Sequence, residues 1–223
     1  MGLKLFYHPL SQPSRSLYIF LKYNNIPFEA RVVDLKEGEH LTQEFKEKFN
    51  RFQKVPFIHD DNFVLSESIA IIRYLASKYE IKDNLYPSNF KQRALIDEYL
   101  EWQHHNTRQH FAMFTQHLWF IPLRTGTPAD QKEVEKYEKA LQETLDKIEN
   151  LWLGNNSYLC GHKISVADLF AACEIEEPRL GGYDPTKGRP KIKEWLERVR
   201  TELNPAYAEA HAALNEVASL HKI

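Results

Sequence analysis

The stretch Lys54-Val55-Pro56-Phe57-Ile58-His59-Asp60-Asp61-Asn62-Phe63-Val64-Leu65 spells a short apolar strand, a polar turn and a second short strand, together a β-hairpin. Ser66-Glu67-Ser68 follows it, ahead of Ile69, Ile72, Leu75, Ala76 and Tyr79, which fall on one face of an amphipathic helix. Small hydroxyl residues before such a pattern mark a helix N-terminus. That end presents unpaired N–H groups and a positive partial charge, which together suit a carboxylate. Pro56 removes a backbone donor and biases Val55 toward an extended conformation. Only about 5–6% of X–Pro bonds in folded proteins are cis, so a strand-initiating trans proline is the default reading. The alternative is a cis Val55–Pro56 bond that leaves the Val55 N–H and C=O to pair with an extended peptide ligand, a short case of strand addition.

Toward the N-terminus, Leu3 to His8 reads as a strand and Pro9-Leu10-Ser11-Gln12-Pro13 as a loop, with Pro13 suited to the first turn of a helix. Leu17, Phe20 and Leu21 share a helical face that ends at Asn24-Asn25, and Phe28 to Val33 reads as a strand with Phe28, Ala30 and Val32 on one side. Strand, helix, strand, hairpin, helix is an α/β pattern: a small mixed sheet flanked by helices, closing near Glu80.

Beyond a turn-rich linker over 81–90, with Asp83-Asn84 and Pro87-Ser88-Asn89, the strand signal vanishes. Tyr99, Trp102, Phe111, Phe114, Leu118 and Trp119 predict one long helical segment. Val134, Tyr137, Leu141, Leu145, Ile148 and Trp152 repeat at bundle spacing, and Pro190 opens a last clear helix carrying Ile192, Trp195, Leu196, Val199 and Leu203. Ile164-Ser165-Val166-Ala167-Asp168-Leu169 carries a capping box and a hydrophobic staple, a structural device without chemistry. The expected organisation is an α/β domain over 1–80 and an all-α helical bundle over 91–223.

The chain has 223 residues, 43% hydrophobic and 27% charged, with a formal net charge of −2, which gives no electrostatic case for nucleic acid or an anionic membrane. No apolar run approaches the ~18 residues that span a bilayer, and the start of the chain has no signal-peptide pattern. Cys160 and Cys173 lie apart with no C-x-x-C, so they read as buried thiols of a cytoplasmic protein without disulfides. His104, His105, His110 and His117 include no i, i+4 pair, so no metal is expected. No G-x-S-x-G elbow supports a serine hydrolase.

The order Val-Pro, hairpin, Glu-Ser, amphipathic helix resembles the glutathione-binding half of the thioredoxin-like domain in glutathione transferases, and with that resemblance the cis reading of Val55–Pro56 is favoured. Leu10-Ser11-Gln12-Pro13-Ser14-Arg15, Glu39-His40, Lys54-Val55-Pro56 and Glu67-Ser68 are similar to the theta class, its insect branch in particular. Tyr99-Leu100-Glu101-Trp102-Gln103-His104 and Phe170-Ala171-Ala172-Cys173-Glu174-Ile175-Glu176 carry the likeness into the second domain.

The resemblance implies that Ser11 hydrogen-bonds the glutathione sulfur, Val55 pairs with the cysteinyl backbone, Glu67 and Ser68 hold the γ-glutamyl end, and His40, Lys54 and Gln12 face the glycyl carboxylate. It also implies an apolar, electrophilic second substrate, with a pocket between the Ser11 loop (Leu10) and the segment carrying His104, Arg108, Phe111, Ala112 and Thr115, where Arg108 assists the chemistry. Glutathione conjugation, a possible glutathione peroxidase activity and a homodimer follow from the same resemblance. His105 stands where some theta enzymes carry an acidic residue, which argues against a cross-subunit role there. The chain ends at Ile223, before the extra helix that covers the pocket in mammalian theta enzymes, which implies an open site and counts against sulfatase-type chemistry. The alternative is a non-catalytic assembly module of the same fold; retention of Ser11, Glu67 and Ser68 favours the enzyme.

The physics is sufficient for a hydroxyl donor. A free thiol has a pKa of about 8.5, and lowering it by about two units needs roughly 2.7 kcal/mol. A hydrogen bond to a charged group supplies about 1.5–3 kcal/mol, and a helix N-terminus adds about 0.3–1 kcal/mol. Ser11 need not act as a base.

Overall fold

Alternation along one short strand sets up the first half of the molecule. In the computed structural model, which describes residues 2–82 and 85–221, β1 (Leu3–Tyr7) buries Leu5 and Phe6 on opposite faces. Helix α1 (Gln12–Tyr23) returns the chain so that β2 (Glu29–Val32) pairs parallel with β1. A short helix, α2 (Gln43–Lys48), leads to the hairpin of β3 (Phe57–Asp60) and β4 (Phe63–Ser66), and α3 (Ser68–Lys78) closes the pattern. The sheet order is β2-β1-β3-β4, with β1/β3 and β3/β4 antiparallel; Leu5 faces Ile58 and Ile58 faces Leu65.

Phe6, Val33, Phe45 and Phe57 form the core on one face, with Phe6 and Phe57 stacked at 4.4 Å and Phe45 edge-on to Phe57 at 5.7 Å. On the other face α1 and α3 pack together, burying Leu17, Phe20, Leu21, Ile69, Ile72 and Leu75. The strand expected over 28–33 forms, but its Ala30 and Val32 point to solvent. As an edge strand it buries the alternate register: Val33 enters the core and the Arg31 guanidinium lies over Phe49 at 4.5 Å. Helix α2 has no counterpart in the sequence reading; Thr42 caps it by accepting the Phe45 N–H at 3.1 Å. Tyr74 Oη donates to Asp60 Oδ2 at 2.5 Å and Lys78 pairs with the same oxygen, so α3 is clamped to the hairpin.

Residues up to Lys82, with Leu203–His211, cluster as this first compact unit; those from 85 to Glu202, with Ala212 onward, form the second. Within the first unit Glu209 accepts from Tyr18 Oη at 3.3 Å and pairs with Lys22 at 3.3 Å. The Asp83-Asn84 turn of the expected linker lies outside the described residues.

The second unit is helical. The single long helix read through Tyr99 to Trp119 is instead interrupted: α4 (Phe90–Trp102), a 3-10 turn, α5 (Thr107–Thr115), a π turn over Gln116–Phe120 and α6 (Ile121–Thr125). Asn106 makes the break, with φ −124° and ψ −98°, its side chain donating to the Trp102 carbonyl at 2.8 Å in competition with the helical ladder. Helix α7 (Gln131–Lys147) buries Val134, Leu141 and Leu145 and continues as a π turn to Leu153. Helix α8 (Val166–Ile175) is buried along its whole length. Its Asp168 accepts from Ser165 N at 2.9 Å, Ser165 Oγ at 3.0 Å, Leu159 N at 2.8 Å and Trp195 Nε1 at 2.9 Å, so the capping residue is also a hub for the core. Helix α9 (Pro190–Leu203) buries the five apolar residues read for it, and α10 (Ala206–Ser219) ends the described chain.

Candidate active site

The strand directions gather the sequence-predicted residues of the first unit at one edge of the sheet. The carboxyl ends of β1, β2 and β4 and the start of β3 all lie there, because Phe6 faces Phe57 and Phe57 faces Ser66. The Ser11 loop leaves β1, the segment bearing His40 leaves β2, Lys54-Val55-Pro56 enters β3, and Glu67-Ser68 leaves β4. Two helix N-termini, those of α1 and α3, therefore open onto the same edge.

Ser11 is the N-cap of α1, yet its hydroxyl makes no capping bond. The hydroxyl stands half-buried beside the positive end of a twelve-residue helix, free to donate elsewhere. At the other helix start Glu67 holds φ 69° and ψ 110°, a conformation side chains avoid, and its carboxylate is exposed. The Val55–Pro56 peptide is cis.

Gln12 Nε2, His40 Nδ1 and Ser68 Oγ are buried atoms without a hydrogen-bond partner among the described residues. Buried polar groups are rarely left so. All three fall on residues read from the sequence for one ligand.

Residues absent from the sequence reading hold this edge in shape. Asn50, 3% exposed, donates to the Lys54 carbonyl at 2.7 Å and accepts from Ser66 Oγ at 3.0 Å, tying the approach to β3 to the exit of β4. Gln53 Nε2 donates to the His40 carbonyl at 3.1 Å. An Asn and a Gln before a Val-Pro signal only a loop; their reach across the edge depends on tertiary contacts.

In the second unit Arg108 Nε donates to Glu174 Oε1 at 3.1 Å, and Thr107 Oγ1 donates to Glu174 Oε2 at 2.6 Å. The Gln103 carboxamide turns its nitrogen to the same carboxylate. Arg108 Nη2 and Thr115 Oγ1 are buried without partners among the described residues. His104 and Ala112 are half-buried on the same stretch, and Phe111 and Thr115 are fully buried. Glu174 was missed as a partner of Arg108; a lone acid in the apolar run Leu169 to Ile175 is its sequence signal. A hollow of about 300 Å³, lined by the cations Arg179, Lys193 and Arg200 and the acids Asp184 and Glu197, contains none of the predicted site residues. Among the described residues no cluster of His, Cys, Asp or Glu could hold a metal ion, and no helix is long and apolar enough to cross a membrane.

A mixed four-stranded sheet flanked by helices, followed by an all-helical unit, defines the class of fold: a thioredoxin-like domain joined to a helical one. The family models for the N-terminal and C-terminal domains of glutathione S-transferase match residues 1–77 and 107–202, so the chain belongs to the glutathione S-transferase family. Within that family it is 40% identical to glutathione S-transferase theta-1 of Bos taurus, over 96% of this chain and 89% of the relative. The structure of human glutathione S-transferase T1-1 superposes with a TM-score of 0.92 at 38% identity, covering 100% of this chain and 92% of that one. A human theta-class enzyme in complex with the glutathione conjugate of 1-menaphthyl sulfate superposes at 0.91 with 37% identity, covering 100% and 89%. The protein is an enzyme that uses glutathione as co-substrate and transfers it to electrophiles.

Proposed function

We propose that the chain ionises bound glutathione through Ser11 and grips the tripeptide with the hairpin edge. Ser11 Oγ donates to the sulfur, the α1 N-terminus adds its positive end, and the thiol proton leaves to solvent. The Glu67 carboxylate and Ser68 hydroxyl take the γ-glutamyl ammonium and carboxylate, the Val55 backbone pairs with the cysteinyl peptide, and Gln12, His40 and Lys54 meet the glycyl carboxylate. The observation that carries this reading is the set of buried, unpartnered atoms on Gln12, His40 and Ser68, beside a cap serine that does not cap.

The first domain, about residues 1–80, then serves glutathione and the helical region serves the electrophile. There Arg108, with its buried, unpartnered Nη2, stabilises charge that leaves with the displaced group, and His104, Phe111, Ala112 and Thr115 serve the substrate. The thiolate attacks the electrophilic carbon and the leaving group departs with the bonding pair; a hydroperoxide would meet the same thiolate. The family supports a homodimer, and Cys160 and Cys173, neither of them in a disulfide, suit a cytoplasmic setting.

The test is steady-state conjugation of a chloronitroaromatic electrophile by wild type and Ser11→Ala. Turnover is expected to fall by about tenfold to a hundredfold, the loss of about 1.5–3 kcal/mol from a charged hydrogen bond, with glutathione KM changed little. Unchanged turnover would remove Ser11 from the chemistry.

A further inference from the structure

We propose that His8 is a positioning residue for Ser11, holding the loop between β1 and α1 by an imidazole acceptor that is lost when the ring is protonated. The inference rests on the reading of Ser11 as the thiolate donor. His8 grips that loop at three points. Its carbonyl accepts the Ser11 N–H at 3.0 Å, its own N–H donates to the buried Ser14 Oγ at 3.3 Å, and its ring Nδ1 accepts the Leu10 N–H at 3.2 Å.

The third contact fixes the tautomer. A backbone N–H can only donate, so Nδ1 carries the lone pair and the ring proton sits on Nε2. Two of these contacts are backbone bonds that any residue could make, but the ring bond belongs to histidine. It closes the turn over Pro9 much as the side chain of an Asn or Asp does in a local turn.

Protonation at Nδ1 would set two donors against each other and release Leu10, the residue next to Ser11. The charged groups facing His8 are Asp34 beyond the end of β2 and His40 on the turn before α2; Arg15 of α1 donates to the Pro9 carbonyl at 3.2 Å in the same loop. Burial, with His40 adding to it and Asp34 opposing it, holds the imidazole below the ordinary histidine value. The lone pair is therefore present at neutral pH, and the loop loses it as pH falls through that lowered value.

The experiment compares wild type, His8→Asn, His8→Phe and Ser11→Ala, reading the ultraviolet absorbance of enzyme-bound glutathione thiolate and the pH dependence of kcat/KM for a chloronitroaromatic at saturating glutathione. Wild type should show, besides the loss from thiol protonation, an additional step of about fivefold on the acid side as His8 protonates, a step that the His8→Asn profile lacks. His8→Phe should lower the bound thiolate and kcat about fivefold at neutral pH, the factor for one hydrogen bond, while His8→Asn keeps both near wild type. An acid limb of the same shape in wild type and His8→Asn, without the additional step, would overturn the proposal, and that comparison survives even if His8→Phe fails to fold. If Ser11→Ala leaves the thiolate absorbance intact, the donor reading itself fails; if Ser11→Ala abolishes it while His8→Phe does not, only the role of His8 is lost.

Discussion

Glu67 shows how much the site asks of single residues. At φ 69° its backbone occupies a region that costs an ordinary side chain about 1–3 kcal/mol, while placing its exposed carboxylate at the start of α3. Glycine adopts such angles at little steric cost. Glu67→Gly should therefore raise the stability of the free protein by about 1 kcal/mol in thermal or urea unfolding. The same variant should raise the glutathione KM, because the carboxylate is gone. A variant both less stable and unchanged in KM would mean that the strained backbone serves neither the fold nor the ligand. Residues of this kind divide sharply in legibility. Ser11, His40 and Ser68 sit in motifs a reader can see, whereas Asn50 and His8 act through contacts that exist only once three chain segments meet at one sheet edge.

At the scale of elements, α3 is fastened to the hairpin by Asp60, with Tyr74 and Lys78 on one oxygen. Burial pushes this carboxyl upward, but the hydrogen bonds from Lys78 and Tyr74 outweigh it and hold it below the usual carboxylate range. A depressed value in the folded state makes the contribution complete above the unfolded pKa of about 3.9 and removes it as pH falls through the folded one. Asp60→Asn should cost about 1–2 kcal/mol at neutral pH, with the Lys78 part discounted because that side chain is partly in water. The gap to wild type should close in urea titrations taken down to about pH 2. A gap independent of pH would assign the effect to packing alone. The elements themselves were largely readable, since hairpin, capping box and amphipathic faces are short-range patterns. What escaped was α2, a helix too short for periodicity, and the Asn106 break, where one side chain diverts the ladder inside an otherwise helical composition.

For the whole molecule, a ligand that completes buried hydrogen bonds should stabilise the folded chain by mass action. Glutathione at about a hundred times its Kd should add about 2.7 kcal/mol, seen as a rise in Tm. A Ser68→Ala variant should show a smaller rise at equal concentration, because the hydroxyl no longer meets the ligand, and an equal rise in both would place that hydroxyl outside the binding site. The class of fold was legible in the sequence because strand signals stop after the first domain and helical ones take over. The composition of the first compact unit was not, since Leu203–His211 join it from more than a hundred residues away.

That returning segment bears on any attempt to shuffle halves between relatives. Tyr18 and Lys22 meet their acid partner at Glu209, near the far end of the chain. A chimaera spliced at residue 82 would thus inherit a sheet from one parent and the carboxylate that steadies its first helix from another. Donor and recipient would be matched only if the cassette were cut in two places and residues 203–211 travelled with it.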